Sequence, residues 1–258
     1  MAISETAQKN HDQLFPGHVS TLKVTDPELI EIFDNFAFDE TLAHGSLDIR
    51  TRLMVQLAAL IGGQGLSEYR VMLGAALANG VTPVAAKEIV YQAVPYAGMG
   101  KAFDFIHATN EILTERGVQL PLEGQATTSP VTRAEKGRAV QEQIVGAERV
   151  QRMYASAAAD ELHFQQFLSA NCFGDHYTRT GIDVPTRELL TFAMLVSLGG
   201  CDPQVRGHVA ANLNVGNSRQ DLIGVITVLL PFIGYPRNAQ RPRRHQRGRP
   251  RDSGRTVT

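Results

Sequence analysis

Glu188, Cys201 and His208 give this 258-residue sequence an acid, a thiol and an imidazole close enough along the chain to act together. Cys201 immediately precedes Asp202–Pro203, which reads as an N-cap and first helical residue, and the partial positive charge of a helix N-terminus stabilises a thiolate. The Asp202 carboxylate opposes that effect. His208 follows two turns along the same helix, on roughly the face of Cys201. Gln204, four residues before His208, is within its reach. Glu188 falls near the start of the preceding helix. Antiparallel packing of the two helices would bring it to the C-terminal half of the Cys201–His208 helix, where a carboxylate orients an imidazole for proton transfer. Arg187 and Arg206 are neighbouring cations able to hold a substrate carboxylate. Each residue also has a plainer reading. A lone helical histidine packs, a cysteine in a Gly–Gly–Cys turn fills apolar space, and a first-turn glutamate favours the helix dipole. Arg187 recurs as Arg52 and is equally readable as structural, and Cys172 reads as core.

The elements that must position these residues occur twice. Leu47–Asp48–Ile49–Arg50–Thr51–Arg52 matches Ile182–Asp183–Val184–Pro185–Thr186–Arg187, Ala75 to Gly80 matches Ala211 to Gly216, and Val94 to Gly98 matches Leu230 to Gly234. The offset is 135 residues, becoming 136 after one inserted residue. Such self-similarity marks a duplicated unit. Asp48 and Asp183 are expected N-caps, Pro185 suits a first turn, Ser67 is an expected cap, and Gly80 and Gly216 suit helix ends. A third helix is expected over Pro83 to Val94 and Arg219 to Leu230, and another over Lys101 to Arg116. No alternating strand pattern occurs, so the fold class is all-α. The organisation read from these signals is a first repeat over 1–119, a Pro/Gly/Ser/Thr-rich linker over 120–132, a second repeat over 133–240 entered through a helix from Arg133 to Ala157, and a tail over 241–258. Glu188 faces Leu53 of copy one, His208 faces Met72, and Cys201 lies at the insertion. Copy one therefore reads as a structural or oligomer-forming half.

Composition limits the function classes. The formal net charge is −1, which gives no reason for a polyanionic partner of the body. The tail holds seven Arg and one Asp, so the remainder is acidic. The tail occupies the place of copy one's terminal helix without its apolar residues. It reads as a lost helix, or as a basic segment binding nucleic acid or acidic lipid weakly. Two cysteines make no disulfide framework. The first thirteen residues are polar, and no apolar run reaches the length of a membrane span. The expectation is a soluble cytoplasmic protein with no membrane partner.

Phe173–Gly174–Asp175–His176–Tyr177–Thr178–Arg179, Thr186–Arg187–Glu188–Leu189–Leu190–Thr191, His208–Val209–Ala210 and, in copy one, Ala75 to Pro83, Lys87–Glu88–Ile89–Val90 and Tyr96–Ala97–Gly98 together resemble the carboxymuconolactone decarboxylase family. The resemblance covers about 33–116 and 168–238. It implies an all-α, obligately oligomeric protein, with a trimer of two-copy chains imitating a hexamer of single-copy ones. It further implies decarboxylation of a carboxylated lactone with no metal or organic cofactor. Alkylhydroperoxidase D-like relatives use a Cys-x-x-Cys pair, a histidine and an upstream glutamate. By that resemblance Cys201 matches the first cysteine, His208 the histidine and Glu188 the glutamate. Gln204 stands in the place of the second cysteine, which disfavours a dithiol peroxidase. Three readings follow: a cofactor-independent decarboxylase of a small carboxylated substrate, a one-cysteine thiol peroxidase, or a non-catalytic oligomer that binds a small molecule.

Overall fold

The computed structural model describes residues 2–17 and 20–238, and among these there is helix and no strand. Copy one begins with α1 (Glu5–Leu14), α2 (Leu22–Thr25) and α3 (Pro27–Asn35), which runs on as a π-helical turn over Phe36–Glu40. Then follow α4 (Ile49–Gly63), α5 (Leu66–Ala78), α6 (Pro83–Ala97) and α7 (Met99–Glu115). Copy two begins with α8 (Arg133–Val145), α9 (Ala147–Ala155) and α10 (Leu162–Phe167), which continues as a π-helix over Leu168–Tyr177. It proceeds through α11 (Val184–Leu198), α12 (Asp202–Asn214), α13 (Arg219–Ile233) and the short α14 (Tyr235–Asn238). The expected basic tail, 241–258, lies outside the described residues.

The local signals act largely as the sequence predicts. Asp48 accepts from the amides of Arg50 and Thr51, and Asp183 from that of Thr186, each such cap being worth about 1 kcal/mol. Gly80 and Gly216 follow the ends of α5 and α12 with φ of 87° and 99°, a left-handed conformation open to glycine. Some boundaries differ. α6 and α13 run on through Pro95 and Pro231 to Ala97 and Ile233 instead of ending at Val94 and Leu230. Cys201 itself is the N-cap of α12, with Asp202 and Pro203 already helical. Gly65, rather than Ser67, caps α5. The entry helix of copy two breaks at Gly146, whose φ of 95° cannot continue a helix, so it becomes α8 and α9.

The two copies share one continuous core, centred on α4 and α11, which are buried along nearly their whole length. Equivalent positions meet at their crossing. A Cβ on Gly62 would stand 2.5 Å from the Met194 carbonyl, and Ser197, the counterpart of Gly62, donates its hydroxyl to the Ala59 carbonyl at 2.6 Å. Close helix approach requires small residues at both positions. Further out, Gln56 of α4 donates to the Val228 carbonyl of α13 at 3.2 Å, and Gln92 of α6 donates to Thr191 of α11 at 3.3 Å. These contacts are also related by the repeat offset. Each copy's third helix thus packs on the first helix of the other copy, in the manner of an intertwined dimer fused into one chain. The linker 120–132 is tied down as well. The Gln125 carbonyl accepts from the Thr180 amide at 3.0 Å, and Thr128 donates to the Gly174 carbonyl at 2.9 Å.

Candidate active site

Glu188 lies one turn into α11 and His208 midway along α12, and the two helices bring them together. Nδ1 of His208 is 2.8 Å from Oε2 of Glu188. A carboxylate only accepts, so the shared proton belongs to Nδ1, and Nε2 is the ring nitrogen left to act outward. Asn212 fixes the pairing of the helices, donating to the Glu188 carbonyl at 3.1 Å and to the His208 carbonyl at 2.7 Å. The Glu188 side chain is fully buried, whereas that of His208 keeps 16% of its surface exposed. A sealed anion thus stands behind an imidazole that reaches solvent.

The second Glu188 oxygen, Oε1, accepts from the Tyr177 hydroxyl at 2.6 Å. Tyr177 comes from the end of the π-helix, and its oxygen also lies 3.0 Å from Thr191 Oγ1 and 3.0 Å from the Tyr96 hydroxyl. Tyr96 arrives from α6 of copy one, its ring edge-on to His208 at 5.5 Å between centroids. With Tyr177 donating to the carboxylate, Tyr96 and Thr191 must donate to Tyr177, so the hydroxyl protons run toward Glu188. Burial, reinforced by neighbouring Cys172 and Glu188, pushes both phenols well above the usual tyrosine range. They remain protonated donors. The network extends further. Gln92 donates to Thr191, the Arg187 Nη1 donates to Gln92 Oε1 at 2.9 Å, and its Nη2 donates to Glu88 at 2.8 Å. A continuous polar chain therefore runs from Glu88 in copy one to His208 in copy two, through the shared core.

Cys201 stands apart from this cluster. It is seven residues from His208, about 10 Å along the helix axis, and its thiol donates to the Leu195 carbonyl at 3.3 Å. Burial first, and then the Asp202 charge, push this thiol above its ordinary range; the helix terminus does not prevail. Cys172 is the cysteine beside the site, 3.7 Å from the Tyr96 hydroxyl. Burial pushes its thiol up to about 12, which favours the thiol over the thiolate at neutral pH. Gln204 is exposed one turn before His208. Arg206 is exposed but lies two residues from His208, about 200° around the helix, and so does not share its face. Arg187 requires a correction: it has no accessible surface and its guanidinium is held by Glu88, Gln92 and the carbonyls of Arg179 and Thr180, which leaves no approach for a substrate carboxylate.

Copy one, expected as a structural or oligomer-forming half, also reaches this network, because its α6 supplies Tyr96, Gln92 and Glu88. The repeat contained the signal. Tyr177 stands where copy one has Leu42, and Tyr96 where copy two has Phe232; polar-for-apolar exchanges at equivalent positions single out both phenols. No group of three or more His, Cys, Asp or Glu side chains among the described residues is placed to hold a metal ion.

An all-α duplicated scaffold with a buried carboxylate backing a half-buried imidazole defines the class: the chain belongs to the carboxymuconolactone decarboxylase family, whose model matches residues 27–111 and 163–240. Among individual relatives, the chain is 30% identical over 104 residues to the 4-carboxymuconolactone decarboxylase of Acinetobacter baylyi, a match spanning 40% of this chain and 77% of that protein. A solved chain from Burkholderia xenovorans, described as a candidate gamma-carboxymuconolactone decarboxylase subunit, superposes with a TM-score of 0.50 at 19% identity, covering 87% of this chain and 89% of that one. At that identity the likeness concerns the fold. Among the described residues, no helix is long and apolar enough to cross a membrane.

Proposed function

We propose that this protein decarboxylates a small carboxylated lactone or related acid by proton transfer at His208, without an organic cofactor or metal. The observation that carries the reading is the 2.8 Å contact between His208 and a fully buried Glu188. In the reaction the bond from the ring carbon to the carboxylate breaks, CO₂ departs, and the electron pair enters the conjugated carbonyl as a dienolate. The dienolate carbon then takes the proton from Nε2 of a protonated His208, and solvent returns one proton per turnover. No electrons are gained or lost overall. Glu188 stabilises the imidazolium before the proton is given up, and Tyr177 holds the carboxylate in register from behind. Gln204, exposed one turn before His208, is proposed to meet the substrate. The relative from Acinetobacter baylyi supports the substrate class.

The raised Cys201 thiol, placed away from His208, speaks against the thiol-peroxidase reading, since the thiolate is the reactive form. The intertwined halves support reading one chain as two fused subunits, so that three chains would supply six units; native mass measurement checks this. The direct test is turnover of 4-carboxymuconolactone followed by CO₂ release. His208→Ala and His208→Gln should lower kcat by about two to four orders of magnitude with the helical spectrum intact. Near-normal turnover by either variant overturns the assignment.

A further inference from the structure

A cavity of about 320 Å³ lies between α6, the end of α7, the linker and the Arg179 loop, and neither Glu188 nor His208 lines it. Its volume is at the lower end of small-molecule sites. Two cations reach it. Lys87 donates to Asn110 at 2.6 Å and lies 5.2 Å from the centroid of the Tyr91 ring. Arg179 lies 5.1 Å from the same ring. Arg179 commits Nε and Nη2 to Glu88, and Glu88 is also the counter-ion of Arg187. One buried carboxylate is therefore shared by two guanidinium groups, with a lysine beside them, leaving a local excess of positive charge. The exposed Glu123 of the linker is the other carboxylate in the wall. Arg179 Nη1 and two of the three Lys87 donors have no protein partner among the described residues. Val84, Leu120, Pro121 and Leu122 complete the wall with apolar surface.

The duplication shows that only one half of the scaffold carries this cluster. At the equivalent positions Lys87, Glu88, Tyr91 and Arg179 are replaced by Ile223, Gly224, Thr227 and His44, while Arg187 keeps its counterpart Arg52. The cations were thus placed on one side only of an otherwise repeated architecture. The geometry points to a second ligand site here, separate from His208, that takes a small organic monocarboxylate. Its carboxylate would sit between Lys87 Nζ and Arg179 Nη1, where charge-assisted hydrogen bonds are strongest. Its apolar body would lie against Tyr91 and the Leu120–Leu122 wall. The net excess of charge suits one carboxylate rather than a polyanion.

The experiment titrates benzoate into the full chain by calorimetry, with benzamide as its neutral counterpart and inorganic phosphate as an anion lacking an apolar body. Methyl NMR signals of Val84, Leu120 and Leu122 report where binding occurs. Benzoate should bind and shift those methyls, with benzamide and phosphate at least tenfold weaker. Lys87→Met and Arg179→Met should each weaken benzoate at least tenfold, whereas His208→Ala should bind it as the unaltered chain does. Lys87→Met is the decisive variant for folding reasons: Lys87 is half-buried, and Glu88 keeps both of its arginines. Benzoate binding that survives Lys87→Met, or that is lost in His208→Ala, overturns the site. So does phosphate binding as tightly as benzoate. The outcome is independent of whether His208 turns over a lactone.

Discussion

Exchanging Glu188 and His208 for the residues of copy one separates what this pair does for stability from what it does for chemistry. The equivalent residues, Leu53 and Met72, are buried in apolar packing, so the scaffold already accommodates a Glu188→Leu/His208→Met combination once. Taken alone, His208→Met leaves a fully buried carboxylate with Tyr177 as its remaining side-chain partner. Leaving a buried carboxylate without its hydrogen-bond donor costs about 3 kcal/mol. In the double variant no charge remains, and replacing a buried pair with apolar residues is neutral or stabilising by about 1–4 kcal/mol. Against that gain stands the Tyr177 hydroxyl, which loses its carboxylate acceptor at a cost of about 1–3 kcal/mol, softened by the Thr191 and Tyr96 hydroxyls still beside it. At roughly 2–4 °C per kcal/mol for a chain of this size, His208→Met should lower Tm by about 10 °C. The double variant should return to within about 5 °C of the parent. Decarboxylation should fall at least a hundredfold in both. Thermal melts by circular dichroism and CO₂ release on the same preparations read both quantities. A double variant less stable than the single would refute the energetic reasoning. One that retained activity would refute the chemistry.

Three further outcomes follow from the same geometry. Cys201→Ser should leave decarboxylation within about threefold, because the thiol lies outside the His208 cluster; a hundredfold loss would return it to the site. A raised thiol pKa means less thiolate at neutral pH, so Cys201 should alkylate more slowly than free cysteine at pH 7 and approach it only in alkaline solution, while Cys172, held at about 12, should stay unlabelled until the chain unfolds; mass spectrometry of iodoacetamide-treated protein distinguishes the two. Glu88→Gln removes the counter-ion shared by Arg179 and the fully buried Arg187, and should destabilise the fold by about 3–5 kcal/mol in urea unfolding; a change below about 1 kcal/mol would show that the arginines relax without it.

The helical class, the duplication, the Asp caps and the glycine stops were legible before any coordinates, because each is set by local backbone chemistry and by periodicity that a linear string records. The sequence also marked Glu188 and His208, since an exchange from apolar to ionisable at equivalent positions of a repeat is visible without coordinates. The interlocking of the halves, by contrast, is a matter of long-range packing. Packing of α6 on α11 and of α13 on α4 joins residues 99 and 172 positions apart, and no local signal encodes which copy's third helix covers which site. For that reason Tyr96, Gln92 and Glu88 enter the network from the half that has Leu53 and Met72 in place of Glu188 and His208. Cys201 lies outside the Glu188–His208 cluster, its thiol at the Leu195 carbonyl. Helical spacing gave it the right face, but the side chain's reach and the Leu195 carbonyl beside it, rather than the face alone, settle where a thiol ends.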